Sequence, residues 1–257
     1  MLCKVVLLLA CCATVLSGGL PNKLPISKLG LSKAGAGRLI GGTPVAKGEV
    51  PWHISLQYFD QMKSEWVYFC DGSIISRDFI LTDAFCSLES LDTMRVIAGT
   101  SDLTNPRNIT EAYNDDRTSN HLTLYRVDPP FEFDCSIQAV QLPARFSASV
   151  PGTVTTVSGV GESAPYQPSG RLEKLLVPIV SKDLCSILLP GADLIYLICA
   201  GDSDETTGFC TSIGYGSPLA YNSELRGILY SKPGCNLPEL YTEVSLFREW
   251  IFRITGV

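Results

Sequence analysis

Histidine is scarce in this chain. Only two occur in 257 residues, His53 and His121. No Cys-x-x-Cys pair is present, so a zinc site of the usual Cys and His composition is not expected. Basic residues are outnumbered: Lys and Arg total 20 against 26 Asp and Glu, a formal charge of −6. That balance argues against nucleic acid held through its phosphates. No long run of like charge appears, which removes a polybasic membrane signal. No apolar run reaches the roughly 20 residues needed to cross a bilayer as a helix. No internal repeat or low-complexity tract is evident. No cofactor is implied.

What is present points outward from the cell. Lys4 precedes the apolar run of residues 5–16, and Ser17, Gly18 and Gly19 follow it. A basic residue, a short apolar core and a small-residue exit predict a secretory signal peptide over residues 1–19. The protein is therefore expected to be secreted and extracellular. Ten cysteines suit that compartment. Cys3, Cys11 and Cys12 leave with the signal, and seven remain: Cys70, Cys86, Cys135, Cys185, Cys199, Cys210 and Cys235. Seven is odd, so one thiol is expected to lack a partner within the chain.

Residues 20–38 are rich in Gly, Lys and Ser and read as a linker or pro-segment. Arg38 ends this stretch and stands before Leu39. An exposed basic residue followed by an apolar one suits cleavage by a trypsin-like enzyme; an ordinary exposed loop is the plainer alternative. From Pro51 onward short β-branched and aromatic runs alternate with Gly, Pro, Asn and Asp clusters. Such spacing predicts a sandwich or barrel. Two stretches break the pattern. SKDLCSIL predicts a short helix. SLFREWIFRI, residues 245–254, sets Leu246, Trp250 and Ile254 at four-residue spacing with Ser245 as N-cap, which predicts a terminal amphipathic helix.

In order along the chain stand RLIGG, PWHISLQ, FCDGSIIS, FILTDAFC, HLTLYRV, VSGVG, SPLAY and PELYTEVSLFREWI. Together they resemble the chymotrypsin-type serine proteases, the trypsin-like family, over residues 39–257. The resemblance implies an all-β fold of two packed six-stranded antiparallel barrels with a C-terminal α-helix. It implies three disulfides, Cys70–Cys86, Cys185–Cys199 and Cys210–Cys235. Cys135 is left over, either as a half-buried thiol or as one half of an intermolecular disulfide. The stretch from Cys86 to His121 is shorter than in typical members, so the first barrel is expected to be distorted or short of a strand. Asn108-Ile109-Thr110 in that stretch is an N-glycosylation sequon.

Acyl transfer by serine needs a base beside the hydroxyl, a third group orienting the base, and donors for the oxyanion. The resemblance carries the base onto Phe85, the orienting acid onto His121 and the nucleophile onto Tyr215, with Gly214 where an acid should precede it. The spacing from Cys210 to Pro218 is one residue longer than the family's. A shifted alignment brings Ser212 or Ser217 toward the site, though neither has the expected neighbours. Ile213 replaces a glycine of the oxyanion loop. The substrate-pairing edge reads Tyr230-Ser231-Lys232, and Gly208 stands at the base of the specificity pocket. With Gly214 in place of the acid, a Leu39 amine freed by cleavage lacks its partner, unless Asp202 or Asp204 supplies one. His53 reads as a strand residue.

The expectation is a catalytically inactive homologue that binds other secreted proteins, such as proteases, their inhibitors or their substrates, as decoy or cofactor. An active endopeptidase with a rearranged site, or a duplicate with no retained role, are the alternatives.

Overall fold

The computed structural model describes residues 39–40, 42–87, 94–103, 108–118, 121–164, 167–201, 208–209, 214–234 and 237–257. The segments expected as signal and pro-segment, with Arg38, lie outside the described residues. So do Cys210, Cys235, Asp202, Asp204, Ser212 and Ile213.

The chain enters through two short strands, β1 (Leu39–Ile40) and β2 (Thr43–Pro44). Six strands then follow: β3 (His53–Asp60), β4 (Glu65–Ile74), β5 (Phe79–Asp83), β6 (Met94–Ala98), β7 (Asn108–Thr118) and β8 (Leu122–Asp128). They form a closed antiparallel barrel in the order β3-β4-β5-β8-β7-β6. The barrel interior is lined by Ile54, Leu56, Ile74, Ile80, Val96 and Tyr125, all fully buried.

The expected missing strand is not missing. β7 bridges β6, with Ala98 opposite Asn108, and β8, with Glu111 opposite Asp128. Its sequence, NITEAYNDDRT, carries few apolar residues at alternate positions, so it does not read as a strand. The ladder explains it: without β7, two barrel edges would be left with unpaired N–H and C=O groups. The one irregularity is a register shift between Asn114 and Thr118. Asn108 opens this strand, and its side chain lies outside the description.

The second half contains β9 (Val154–Ala164), β10 (Gln167–Val180), helix α1 (Lys182–Leu188) and β11 (Leu197–Ala200). It continues with β12 (Gly208–Phe209), β13 (Pro218–Tyr221), β14 (Glu224–Ser231) and β15 (Glu239–Glu243). The sheet order is β11-β15-β14-β13-β9-β10-β2, and β10 also pairs with β11, which curls the sheet back on itself. Gly208 sits in β12, paired with Ile40 of β1. The interior of this half is Val157, Val177, Leu219, Leu229 and Tyr241. The expected short helix is α1, and the Ser181 hydroxyl caps it by accepting from Leu184 N at 3.2 Å.

The terminal helix starts later than the pattern indicates. Val244–Phe247 form a 3-10 turn, and the α-helix proper, α2, spans Arg248–Thr255. Ser245 is buried in that turn and does not cap α2; Phe247 stands at the N-cap without a side-chain bond. The inward face is therefore Phe247, Trp250, Ile251 and Ile254, with Leu246 outside it. That face closes a cluster that also takes Leu81, Leu122 and Leu124 from the first barrel and Leu225 and Ile228 from the second half. The 3-10 turn follows β15 with no residue between them and takes up the start of the apolar pattern.

Cys70 and Cys86 are bridged, as are Cys185 and Cys199, with Cα–Cα distances of 6.0 and 6.3 Å. The Cys210–Cys235 pairing lies outside the described residues. Cys135 is exposed, not half-buried, and belongs to neither described bridge. Among the described residues no helix is long and apolar enough to cross a membrane.

Ile251 is fully buried whereas Phe252, its neighbour, is 60 % exposed. Ile251→Ala is expected to lower stability in urea unfolding by about 2–5 kcal/mol. Phe252→Ala should stay within about 0.5 kcal/mol of the parent. Equal effects would mean that α2 does not seal the cluster.

Candidate functional site

Phe85 lies at the centre of a 3-10 turn, Ala84–Cys86, that follows β5 directly. The turn is held at both ends. Asp83 caps it, its Oδ1 accepting from Phe85 N at 2.8 Å. Cys86 is bridged to β4 through Cys70, and its carbonyl accepts from the buried Tyr125 hydroxyl at 2.9 Å. Phe85 itself projects outward and is 74 % exposed.

Tyr215 approaches from the opposite half. It sits in the turn before β13, between Gly214 (φ 102°) and Gly216 (φ 83°), both in the region that favours glycine. A Cβ on Gly216 would overlap the Asp71 carbonyl, so no larger residue fits there. The rings of Phe85 and Tyr215 meet with centroids 4.9 Å apart and planes tilted by 44°. The Lys232 ammonium lies 4.8 Å from the Tyr215 centroid. Asp83, Ala84, Phe85, Tyr215, Tyr230 and Ser231 line an open cavity of about 350 Å³ between the two halves.

His121 is brought to the same neighbourhood. Its ring packs among Tyr230 at 5.2 Å, Tyr196 at 5.5 Å and Phe247 at 6.0 Å. Burial among these rings lowers its pKa, and Asp193 opposes that shift. The structure thus gathers Phe85, Tyr215 and Tyr230 at one cavity, with His121 behind Tyr230.

Asp83 is 1 % exposed. Burial raises its pKa to about 7, against the pull of the Phe85 and Ala84 backbone N–H groups. Its second oxygen, Oδ2, is buried and accepts no hydrogen bond from the described residues. The family resemblance places a small residue at this position and gives an acid there no role.

A second acid, Asp71 on β4, is fully buried. Its Oδ1 meets His53 Nε2 at 3.1 Å and accepts from Ser55 Oγ at 3.2 Å. Its Oδ2 accepts from Ser217 Oγ at 2.9 Å and from Val160 N at 3.4 Å. The other ring nitrogen of His53 pairs with Ser158 Oγ at 3.0 Å. The backbone joins in: Asp71 N donates to Tyr215 O at 2.8 Å, and Thr82 Oγ1 donates to Asp71 O at 2.6 Å. His53 is thus a strand residue, and Ser217 is turned inward onto an acid. The order is serine, acid, imidazole, so the acid stands between Ser217 and the ring that could take its proton. All three are at most 5 % exposed. Among the described residues no group of three or more His, Cys, Asp or Glu side chains is placed to share a metal ion.

Two halves of antiparallel strands, a facing cleft and a turn bridged to β4 define a two-barrel β protein. The trypsin family model matches residues 39–251, and the chain belongs to that family. It is 26 % identical to a trypsin of Xenopus laevis over 83 % of this chain and 89 % of that one. It is 27 % identical to mast cell protease 3 of Ovis aries, over 87 % and 92 % of the two chains. It is 30 % identical to trypsin zeta of Drosophila melanogaster, over 84 % and 85 %.

Two outcomes follow for stability. Asp71→Ala strands four donors and is expected to cost about 3–5 kcal/mol in chemical denaturation. A double-mutant cycle with Ser217→Ala should show coupling of at least about 0.5 kcal/mol; strict additivity would contradict the network. Asp83 acts in the opposite sense. The folded protein keeps a proton on Asp83 up to about pH 7, whereas the unfolded chain, at its ordinary 3.8, has released it. Stability attributable to Asp83 is therefore fully present below that value and is lost as pH climbs toward 7. Asp83→Asn keeps the cap oxygen and should raise stability at pH 8 by up to about 4 kcal/mol. The same variant should flatten the stability profile across that window; an unchanged profile would show that Asp83 ionises normally.

Proposed function

We propose that this member of the trypsin family is a secreted protein without peptidase activity that acts by binding other proteins. The observation that carries this reading is the contact between Phe85 and Tyr215. The family resemblance assigns the general base to the first position and the nucleophile to the second. Neither a phenyl ring nor a phenol tucked against it and a lysine can run the relay that serine acylation requires. The third position, His121, is an imidazole packed against the rings of Tyr196, Tyr230 and Phe247, and not the carboxylate that orients the base.

Binding is the natural remaining use of such a cleft. Phe85 and Tyr230, which line it, are 74 % and 37 % exposed. Amphipathic aromatics on a rigid scaffold are the side chains that protein interfaces favour. The partners are secreted proteases, their inhibitors or their substrates, and the role is that of a decoy or a cofactor in a protease pathway. Arg38 is the processing site in this reading, and cleavage there does not generate activity, because Gly214 offers no carboxylate to the new amine.

A second reading has one observation in its favour: the similar proteins are named as trypsins and a mast cell protease. A fluorophosphonate probe separates the two. No serine of the purified, Arg38-cleaved protein should be labelled, and Phe85→His alone should restore no peptide hydrolysis. Stoichiometric labelling of one serine would falsify the inactive reading. Recovery of a secreted protease, inhibitor or substrate on the immobilised protein, weakened by Phe85→Ala, is the positive result expected for binding.

A further inference from the structure

The cavity between the two halves has a chemical character of its own. Its lining includes Asp83, whose buried Oδ2 accepts no hydrogen bond from the described residues. A carboxylate oxygen removed from water without a donor is a costly arrangement that a ligand donor would relieve. The walls are the aromatic rings of Phe85, Tyr215 and Tyr230. Ring faces attract cations and do little for anions. One cation already lies against this wall, the Lys232 ammonium at 4.8 Å from the Tyr215 centroid. The volume, about 350 Å³, is at the small end of organic ligand pockets.

We propose that this cavity binds one organic cation, an alkylammonium or guanidinium group, whose N–H donors reach Asp83 Oδ2 while its charge lies against the Phe85 and Tyr215 rings. Resting on the reading of the cleft as a protein-binding surface, the occupant is a basic side chain presented by the partner. The site differs from a pocket that reads a basic chain through an exposed acid. Its acid caps the Ala84–Cys86 turn through Oδ1, so the group that binds the cation also positions Phe85. Lys232, already against the Tyr215 ring, competes with the incoming cation.

Protonation is coupled to binding. The elements packed against β5 also carry Glu65, Tyr68 and Asp71 on β4, Tyr125, Arg126 and Asp128 on β8, and Glu224, Arg226 and Tyr230 on β14, with His121, Tyr215 and Lys232 beside them. None of them is among the causes of the Asp83 shift, which is burial, opposed by the Phe85 and Ala84 N–H groups. A bound cation favours the ionised acid, so binding releases a proton wherever Asp83 is otherwise protonated.

The test is a titration of the purified full chain by calorimetry and ligand-observed NMR. The probes are n-butylammonium, Nα-acetyl-lysine methylamide and its neutral counterpart Nα-acetyl-norleucine methylamide. The two cations should bind, and the norleucine compound should bind at least about tenfold more weakly. Affinity for the cations should fall by about tenfold or more between about pH 8 and about pH 5.5. Asp83→Asn, which preserves the cap, should lose both the binding and its pH dependence, while circular dichroism shows the fold retained. Lys232→Met should tighten binding. A lysine derivative that binds better than n-butylammonium assigns the site to side chains; the reverse order assigns it to free amines. Equal binding of cationic and neutral probes would overturn the proposal. So would unchanged affinity in Asp83→Asn, or no binding by parent and Lys232→Met at about 10 mM probe. Failure here with partner capture intact removes only the cation site. Loss of partner capture with cation binding intact removes only the protein-binding reading.

Discussion

The arrangement of the two halves depends on one buried carboxylate. Asp71 belongs to β4 of the first barrel, yet it takes donors from β9 (Val160 N) and from Ser217 just before β13. His53 extends the link from β3 to Ser158 of β9. These bonds run across the junction of the two halves, where each donor left unmet would cost about 1–3 kcal/mol. A buried acid is tolerated only when it is this fully satisfied. Apolar packing across the junction is not directional and would allow the halves to slide. The Asp71 bonds are directional and fix their register.

The cleft inherits its shape from that fixing. The backbone of Asp71 holds the carbonyl of Tyr215, and Gly216 lies too close to Asp71 for any side chain. Tyr215 is thereby set at one height above the junction. Phe85 is set independently, by the Asp83 cap, the bridge to Cys70 and the Tyr125 bond to Cys86. The ring contact between them is thus the meeting of two separately anchored turns, one from each half. It does not have to hold the structure together, which leaves its rings available to other molecules.

Much of the fold was legible because it is local. β3, β5, β8 and β14 show the β-branched and apolar runs that mark strands, and the family resemblance supplied the Cys70–Cys86 and Cys185–Cys199 bridges. β7 was not legible, because its place comes from the open edges of β6 and β8 and not from its own polar sequence. The start of α2 was misplaced because a 3-10 turn takes up the residues after β15, which four-residue spacing cannot reveal. The site was half legible. Phe85 and Tyr215 could be aligned by resemblance, but the partners of Asp71 are 18, 16, 146 and 89 residues away. No periodicity relates them. The one available signal was an acid inside an apolar strand, FCDGSII, with a histidine in the strand paired with it.

The two buried acids show why a trypsin-type scaffold can carry different surfaces. Asp71 is saturated with donors and ties backbone, turn and both halves together; removing it disturbs everything. Asp83 has one oxygen used and, among the described residues, one idle, and its pKa is raised because burial outweighs two backbone donors. A fold gains nothing from an idle, desolvated oxygen. Natural structures tolerate such groups where a ligand completes them, and local strain of this kind concentrates at sites that bind. The contrast between the satisfied acid and the unsatisfied one separates the part of this cleft that serves the fold from the part that is open to another molecule.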